Sequence, residues 1–430
     1  MGSKIFLSAG EASGDLHGAA LVKAILERSP HSRITCLGGD LLRSAGARVL
    51  VDNREVSVVG LSEVLRHASK IYEAWRNLTS FLVREKPDLI ILIDFPDFNF
   101  LLGRFARRHG IKVFYYISPQ VWAWRRGRVR ALKSFVDTMA VILPFEEEFY
   151  RERGMKVHYV GHPLLDVLQK VPSRDEAQRK YRPHDRSGPV VGLLPGSRSG
   201  EIRSLLPLLL GTGRRILARF PQASFLLPLA RTIDPALVLE EGASFFHAPE
   251  VLASHGDEDS ASLKSHLQVM EGPHSMESVK GVETGGHGEQ LFPGGSLPLK
   301  IVRGDSYGVM QACDLLLCAS GTVTLEAAIL NVPMIIVYKV SPLSAFLARH
   351  LIHVSHAGLP NIIAGRTIVP EFLQDNARED CLAEEAIFFL EHPHILELQR
   401  NQLAQIRGML GAPGVAGRVS ELVLHTLALS

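Results

Sequence analysis

The amino-acid sequence predicts an α/β fold made of two Rossmann-like domains. Apolar runs of roughly four to eight residues alternate with longer stretches of helical period, which is typical of parallel strands in βαβ units. Eleven such runs are more than one ordinary doubly wound sheet holds, so two sheets fit the pattern better. The predicted strands are Lys4–Ser8, Arg33–Leu37, Leu89–Asp94, Lys112–Ile117, Thr138–Leu143, His158–Val160, Val190–Leu194, Ser224–Pro228, Leu299–Val302, Asp314–Cys318 and Pro333–Tyr338.

A break between the two domains is predicted at residues 169–188, where the sequence is polar, contains prolines and shows no apolar period. A new strand begins directly after this segment. The first domain is therefore predicted at 1–170 and the second at 188–380. Residues 381–430 form two or three predicted helices, which we expect to pack back on the first domain or on a dimer partner.

Residues 240–296 depart from this regular pattern. They are rich in Gly, Ser, His and Glu and lack a consistent apolar period, as an atypical, loosely packed insertion in the second domain would. Their histidines raise the alternative of a metal site, but neither an HxH nor an HExxH pattern is present. The segment is interpreted as a surface excursion.

Composition and charge exclude several classes of protein. The chain has 430 residues, a formal net charge of +2 at pH 7 and 46% hydrophobic residues, so it lacks the strongly basic face of a nucleic-acid-binding protein. The four cysteines form no CxxC pair, as is typical of free thiols in a reducing cytosol. The N-terminal apolar run is too short for a signal peptide, and no run approaches the ~18 apolar residues of a membrane-spanning helix. We therefore expect a cytoplasmic protein.

The first strand is followed by the glycine-containing loop "SAGEASGDLHG". Ligands of open α/β sheets bind beyond the carboxyl ends of the strands, so a substrate-facing loop is favoured here over a plain turn. The candidate residues are Gly10, Glu11, Ser13, Gly14 and Asp15, of which Asp15 is expected to cap the following helix. The loop does not match G-x-G-x-x-G, so a dinucleotide fingerprint is absent.

Two tryptophans and several arginines follow the strand at 112–117, in "SPQVWAWRRGRVR". Trp122, Trp124 and Arg125 suit a phosphorylated or sugar-bearing ligand, because aromatic rings stack and guanidinium groups pair with phosphate. The alternative is the start of a helix with a solvated basic face.

Two further loops predict anion binding in the second domain. In "LLPGSRSGEI", Gly196, Ser197 and Arg198 lie between a strand and a helix start, where backbone N–H groups bind phosphate and an arginine adds charge. The second loop, "ASGTVTLEAA", places Ser320, Gly321 and Thr322 at another helix start, with Glu326 in the helix. Glu326 is a candidate for binding ribose hydroxyls, the alternative being an ordinary charge near a helix dipole.

The stretch "LSEVLRHASKIYEAW" has apolar residues at helical spacing with basic residues between them. A face packed on the core is the ordinary interpretation. The alternative is an exposed stripe that contacts a membrane surface, for which the candidates are Val64, Leu65, Ala68, Ile71 and Tyr72.

Two aspartates end the apolar run in "DLIILIDFPDFNF". Asp97 follows Pro96 and precedes a helical pattern, so helix capping accounts for it. Asp94 ends a buried strand without such a duty, where a carboxylate is costly unless it has a partner or a task. Asp94 is therefore the candidate catalytic residue.

Together, the motifs "GEASGD", "IDFPDFN", "SPQVWAWR", "GHP", "LLPGSR", "ASGTVTLE" and "LPNIIAGR" resemble lipid-A-disaccharide synthases from about Lys4 to Gln374. The resemblance implies a glycosyltransferase B-type fold, with two Rossmann-like domains facing across a cleft and a helical C-terminal tail. It predicts a much shorter connection than residues 240–296 provide. It also adds Asn361, in "LPNIIAGR", to the residues expected to bind the UDP-sugar donor.

The implied reaction joins UDP-2,3-diacylglucosamine to 2,3-diacylglucosamine 1-phosphate, giving a β-1,6-linked disaccharide and UDP with inversion. Asp94 is then the base for the acceptor 6-hydroxyl, and Arg198 stabilises the leaving UDP. The acidic run Asp257–Asp259 matches D-x-D but lies in the insertion, and we do not expect it to hold a metal on the pyrophosphate; we therefore expect no metal or other cofactor. The resemblance also implies a homodimer and peripheral attachment to the cytoplasmic face of the inner membrane. The alternative functions are a UDP-sugar epimerase of the same fold acting on a soluble substrate, and a non-catalytic nucleotide-sugar-binding protein.

Overall fold

The structure is a computed structural model that describes residues 2–56, 68–123, 127–183, 187–230, 232–246, 269–271, 297–339 and 355–428. Its described residues divide into two compact units. The first unit contains the chain up to Asp166 and again from Met409 onward, and the second contains the chain between Val167 and Gly408.

The first unit is built on a parallel sheet of seven strands in the order β3-β2-β1-β4-β5-β6-β7. The chain order reverses between β1 and β4, which is the topological switch point of the sheet. The strands are β1 (Lys4–Ala9), β2 (Arg33–Gly38), β3 (Arg48–Asp52), β4 (Leu89–Ile93), β5 (Lys112–Tyr116), β6 (Thr138–Val141) and β7 (His158–Tyr159).

Helices cover both faces of this sheet. Side chains of β4 alternate between two cores, with Ile90 and Leu92 in one and Leu89, Ile91 and Ile93 in the other. Because both faces are buried, the strand has no polar position before its end. The helices are α1 (Ala12–Arg28), α2 (Asp40–Ser44), α3 (Ala68–Glu85), α4 (Pro96–Arg108), α5 (Arg128–Phe135), α6 (Glu146–Arg151) and α7 (Leu164–Val167), with a 3₁₀ turn at Asn53–Glu55.

The second unit contains a parallel sheet in the order β10-β11-β9-β8-β12-β13-β14, with its switch point between β8 and β12. The strands are β8 (Val190–Leu194), β9 (Ser224–Leu229), β10 (Val269–Glu271), β11 (Leu299–Arg303), β12 (Leu315–Ala319), β13 (Met334–Tyr338) and β14 (Glu371–Leu373). The helices are α8 (Arg174–Tyr181), α9 (Ser199–Arg219), α10 (Pro235–Phe246), α11 (Ser306–Ala312), α12 (Thr322–Ile329), α13 (Leu359–Ala364), α14 (Glu379–Glu391) and α15 (Pro393–Met409), with 3₁₀ turns at Leu168–Lys170 and Gln374–Asn376.

The C-terminal helices divide between the two units. Helix α14 packs on α9 in the second unit, whereas the last helix, α16 (Val415–Ala428), packs on α1 in the first. Asp166 accepts hydrogen bonds from the N–H groups of Gly414 and Ala416 at the start of α16. Arg418 of α16 donates to the carbonyl of Val160, directly before the "GHP" motif. This motif therefore lies where the returning tail is attached.

The α/β class and the two parallel-sheet domains predicted from the sequence are confirmed, and each of the eleven predicted strands is present. Strands β3, β10 and β14 were not predicted. β3 and β14 are largely half-buried edge strands without a continuous apolar run, which is why their sequences give a weak strand signal. β10 lies inside the segment that was interpreted as an insertion.

Candidate active site

The first candidate site lies at the switch point of the first sheet. β1 and β4 are neighbours in register, with Ala9 opposite Ile93, so the loops that follow them start side by side. A Cβ atom on Gly10 would lie 2.2 Å from the ring of Phe95. Only glycine permits this approach of the two loops, and the glycine-containing loop is thereby placed beside Asp94.

Asp94 and Phe95 have an unusual backbone conformation. Both have positive φ, 43° and 47°, which costs of order 1–3 kcal/mol for each non-glycine residue. The Asn99 side chain holds this turn, because its Nδ2 donates to the carbonyl oxygens of Asp94 at 2.8 Å and of Ile93 at 3.2 Å. The Tyr115 hydroxyl adds a third bond, to the Asp94 carbonyl at 2.9 Å.

Asn99 is itself fixed. It is fully buried, and its Oδ1 accepts a 2.7 Å hydrogen bond from the hydroxyl of Ser8 on β1. A strained turn that is held by buried polar groups from β1, α4 and β5 has a well-defined geometry. Such turns concentrate at functional sites, which makes the end of β4 the first place to look for chemistry.

The environment of Asp94 also changes its acidity. Burial, with a smaller contribution from the Glu11 carboxylate, raises the pKa of Asp94 to about 6. A carboxylate with this pKa is mostly ionised at neutral pH and is a stronger base than a solvated aspartate. The side chain is therefore suited to accept a proton from a substrate hydroxyl.

Asp97 has a different environment, and its predicted capping role is wrong. The N-cap position of α4 is Phe95, and no side chain caps this helix end. Asp97 lies in the first turn and its carboxylate pairs with Arg128 at 2.7 Å while remaining 74% exposed. A negative charge at this position is favourable, because it lies near the helix N-terminus.

Asp15 is not the cap of α1. It lies inside that helix, and the N-cap position belongs to Glu11, which makes no side-chain cap bond. The buried Asp15 carboxylate instead accepts from the N–H groups of Gly39, Leu41 and Leu42 at 2.7–3.3 Å. It therefore caps α2, which is distant in sequence, and its oxygen atoms are committed to that contact.

The other residues of the "GEASGD" loop differ in their exposure to solvent. Glu11 and Ser13 are exposed at the end of β1, while Gly14 is buried. A Cβ atom on Gly14 would contact the Cβ atom of Ala9 at 3.3 Å, so Gly14 serves close packing of α1 on β1. Glu11 and Ser13 are the members of this loop that remain accessible to a ligand.

Trp122 is buried rather than presented as an open stacking surface. It is 5% exposed and meets the ring of Phe145 edge-on at 4.9 Å. Trp124 and Arg125, the other two candidates in this motif, lie outside the described residues.

A buried carboxylate that the sequence did not indicate organises this loop. Glu146 accepts hydrogen bonds from the Ser118 hydroxyl at 2.7 Å and from the N–H groups of Ile142 and Leu143. Burial raises its pKa to about 7. Tyr150 completes the network by donating to Ser118 at 3.1 Å. The run of three glutamates at 146–148 resembles an ordinary helix start, so only the fold reveals that the first of them is buried.

The second candidate site lies at the switch point of the second sheet. Leu194 at the end of β8 is opposite Cys318 near the end of β12, so the loops Gly196–Arg198 and Ser320–Thr322 leave neighbouring strands. Gly196 has a φ of 113°, and a Cβ atom there would lie 2.2 Å from a Glu201 carboxylate oxygen. The glycine therefore allows both the turn and the approach of Glu201.

Two backbone N–H groups of this loop that were expected to bind phosphate have a partner within the chain. The N–H groups of Ser197 and Arg198 donate to the Glu201 carboxylate, at 2.9 and 3.3 Å, so they are engaged within the chain itself. The Arg198 guanidinium lies 3.6 Å from Glu201 and is 69% exposed. Of the predicted anion-binding residues in this loop, Ser197 and Arg198 are both exposed, so their side chains remain accessible to a ligand.

The loop after β12 leads into a helix, as the sequence predicted. Gly321 and Thr322 are exposed at the start of α12, and no side chain caps this helix end. The Ser320 hydroxyl donates to the carbonyl of Ala357 at 2.8 Å, which joins this loop to the residues preceding α13. One turn into α12, the half-buried Glu326 carboxylate accepts a bond from Tyr307 at 3.2 Å.

Asn361 is a structural residue in this fold. It is fully buried, and its Nδ2 donates to the Val369 carbonyl and to the Glu371 carboxylate at 2.8 and 2.7 Å. Its Oδ1 accepts from the N–H groups of Ile368 and Val369. These four bonds occupy the amide, so we remove Asn361 from the donor-binding residues and assign it to holding the segment before β14.

The membrane-contact candidates are only partly covered by the structure. Val64 and Leu65 lie outside the described residues, as does the side chain of Ala68. Ile71 is half-buried, whereas Tyr72 is 67% exposed. Among the described residues, no helix is long and apolar enough to cross a membrane, and no cluster of three acidic, His or Cys side chains is placed to hold a metal ion.

The lipid-A-disaccharide synthetase family model, LpxB, matches residues 5–270 and 296–408 of this chain. The chain belongs to the lipid-A-disaccharide synthase family. It is 42% identical to the lipid-A-disaccharide synthase of Geobacter sulfurreducens over 99% of this chain and 97% of that protein. Identity to the enzyme of Syntrophus aciditrophicus is 40% over the whole of both chains. The predicted family is confirmed, and the family model omits only 271–295 within its matched span.

Solved structures agree on the fold. The S. aureus MnaA–UDP structure matches with a TM-score of 0.60 and 13% identity, covering 100% of this chain and 98% of that one. UDP-GlcNAc 2-epimerase from Neisseria meningitidis, bound to UDP-GlcNAc, matches with a TM-score of 0.54 and 13% identity, covering 99% and 100%. At this identity the likeness concerns the glycosyltransferase B-type fold alone, whereas the family assignment rests on relatives at about 40% identity.

Proposed function

We propose that this family member transfers a 2,3-diacylglucosamine unit from its UDP conjugate to the 6-hydroxyl of 2,3-diacylglucosamine 1-phosphate. The product is the β-1,6-linked disaccharide 1-phosphate, and UDP leaves. In a chain of this family, the observation that carries the proposal is Asp94. This residue lies at the switch point of the first sheet, where burial raises the pKa of its carboxyl group. Buried polar groups hold its turn in a strained conformation.

The proposed chemistry is a direct displacement. The Asp94 carboxylate removes the proton of the acceptor 6-hydroxyl while that oxygen forms a bond to the anomeric carbon of the donor. The bond from this carbon to the UDP oxygen breaks at the same time, so the configuration inverts. Glu11 contributes by keeping the pKa of Asp94 above its usual range, since its negative charge disfavours a second ionised carboxylate nearby.

The donor is assigned to the loops at the switch point of the second sheet. Arg198 and the start of α12 would stabilise the charge that develops on the UDP oxygen atoms, because a guanidinium and helix N–H groups both favour an anion. Glu326 is assigned to the ribose hydroxyls. These loops carry no D-x-D motif, since the match at Asp257–Asp259 falls in the insertion, and we therefore expect that no metal is required.

A lipid-facing surface on the first unit is part of the same proposal. Tyr72 of α3 is 67% exposed and Leu101 of α4 is 55% exposed, with the exposed Arg76, Arg104 and Arg108 on the same two helices. Apolar side chains flanked by arginines suit the surface of an anionic bilayer, where acylated substrates reside. Replacing Tyr72 and Leu101 by serine should weaken co-sedimentation with anionic vesicles, and unchanged binding would refute this surface.

The proposed homodimer is checked by analytical ultracentrifugation.

One assay tests the proposed reaction. Purified protein is incubated with both acylated sugars in detergent, and mass spectrometry follows the disaccharide and UDP. We expect both products in equal amounts and neither with Asp94→Asn. A parallel incubation with soluble UDP-GlcNAc tests the epimerase alternative, for which proton NMR would show a new epimer. Formation of the epimer without any disaccharide would overturn the proposal.

A further inference from the structure

Tyr307 connects two parts of the second unit that are not neighbours in the sheet. It lies in the first turn of α11, which follows β11, and its hydroxyl donates to Oε1 of Glu326 in α12, which follows β12. Strands β9 and β8 lie between β11 and β12. The hydrogen bond therefore spans the switch point of the sheet, where a ligand of this fold binds.

The Glu326 carboxylate is only partly exposed to water. Burial raises its pKa, and the hydrogen bond from Tyr307 opposes that effect by favouring the ionised form. Its other ionisable neighbour among the described residues is Cys318 on β12, whose thiol pKa is raised by burial and by the charge of Glu326. Helix α13, which also packs on α12, has no ionisable side chain. Tyr307 is thus the group that stabilises this carboxylate in its charged form.

We infer that Tyr307 is a positioning residue of the donor site, orienting the Glu326 carboxylate to accept hydrogen bonds from the ribose hydroxyls of UDP. The inference rests on the proposed function of Glu326. An ionised carboxylate has two acceptor oxygens and no donor, so it can accept hydrogen bonds from both ribose hydroxyls. The Tyr307 hydroxyl supplies the fixed direction from an element on the other side of the switch point.

Calorimetric titration with UDP and with 2′,3′-dideoxy-UDP separates this role from simple packing. Tyr307→Phe keeps the ring and removes only the hydroxyl. We expect UDP affinity to fall by about 5–10-fold, the equivalent of one ordinary hydrogen bond, while affinity for the dideoxy analogue changes less than about twofold. The decline in UDP affinity on acidification should also begin at a higher pH in this variant, because the lost donor raises the pKa of Glu326.

Tyr181→Phe is the matched control. The Tyr181 hydroxyl also bonds a carboxylate, that of Asp305, which caps the same helix α11. If Tyr307 acts through its own hydroxyl, the control keeps its UDP affinity. Equal loss for UDP and the dideoxy analogue in Tyr307→Phe, or equal loss in both variants, would overturn the inference. Failure of the unmodified protein to bind UDP would instead overturn the proposed donor site.

Discussion

Replacing Asp94 by asparagine should abolish turnover and stabilise the protein at the same time. The pKa of Asp94 is raised from 3.8 to about 6, so above pH 6 the folded chain holds a charge that the unfolded chain carries more easily. Each pKa unit corresponds to about 1.4 kcal/mol, which gives a cost of about 2–3 kcal/mol. The cost is absent well below pH 3.8, where the carboxyl is protonated in both states, grows between pH 3.8 and 6, and is complete above pH 6. Asparagine has a similar shape and no charge, so the gain in stability develops as the pH rises from 3.8 to 6 and is complete at neutral pH.

Urea denaturation at pH 4 and pH 8 measures this effect. The three tryptophans, Trp75, Trp122 and Trp124, all precede Asp166, so their fluorescence follows the first unit. Asp94→Asn should be about 2–3 kcal/mol more stable than the unmodified protein at pH 8 and nearly equal to it at pH 4. Activity is measured in parallel from disaccharide formation.

Asp97→Asn is the control for this experiment. It removes an exposed carboxylate paired with Arg128, so its stability should change by less than about 1 kcal/mol, as a small loss, and its activity should persist. If Asp94→Asn is no more stable at pH 8 than at pH 4 relative to the unmodified protein, the burial argument is wrong. If it retains near-normal turnover, Asp94 is not the base.

Three further substitutions test the same site. Asn99→Ala removes two of the three side-chain hydrogen bonds that hold the turn and leaves the buried Ser8 hydroxyl without its acceptor. We therefore expect a loss of about 2–4 kcal/mol in the free energy of unfolding and a fall in kcat of about 10–100-fold with little change in donor KM. The exposed Asn77→Ala on α3 should alter neither. A kcat within twofold of normal for folded Asn99→Ala would contradict the positioning role. Glu11→Gln removes a charge that contributes to the raised pKa of Asp94, so the acid limb of the kcat/KM profile should move to lower pH. An unmoved acid limb would show that burial alone raises the pKa of Asp94. Arg198→Ala should weaken UDP binding by about tenfold or more in calorimetry. The fold should be preserved, because the Arg198 side chain is 69% exposed. Unchanged affinity for UDP would refute the role of Arg198.

Strand positions and the candidate catalytic residue could be predicted from the sequence because they depend on local pattern. A strand buried on both faces, such as Leu89–Ile93, must be apolar throughout, so a carboxylate directly after it is conspicuous. The same logic indicated the loops after β1, β8 and β12. The short motifs also carried the family, which the comparison with known proteins confirmed.

Errors arose where a polar side chain has partners far along the chain. Asp15 was expected to serve its own helix and a ligand, but it bonds to N–H groups 24–27 positions away. Asn361 is occupied by the backbone and by Glu371. Glu146 was missed for the same reason, because its main side-chain partner, Ser118, is 28 residues distant. No local pattern encodes such pairs.

The sequence by itself determined the α/β class, the two parallel sheets, the family and the position of Asp94 at the end of a buried strand. Apolar periodicity and short motifs are local properties, so they can be recognised in the sequence alone. Only the tertiary structure decided which strands are neighbours, and hence that Gly10 and Asp94 share one switch point and Arg198 and Ser320 the other. It also decided which polar groups are buried together. The acidity of Asp94, the rigidity of its turn and the contact of Tyr307 with Glu326 follow from that burial, because hydrogen bonding and desolvation depend on proximity in space.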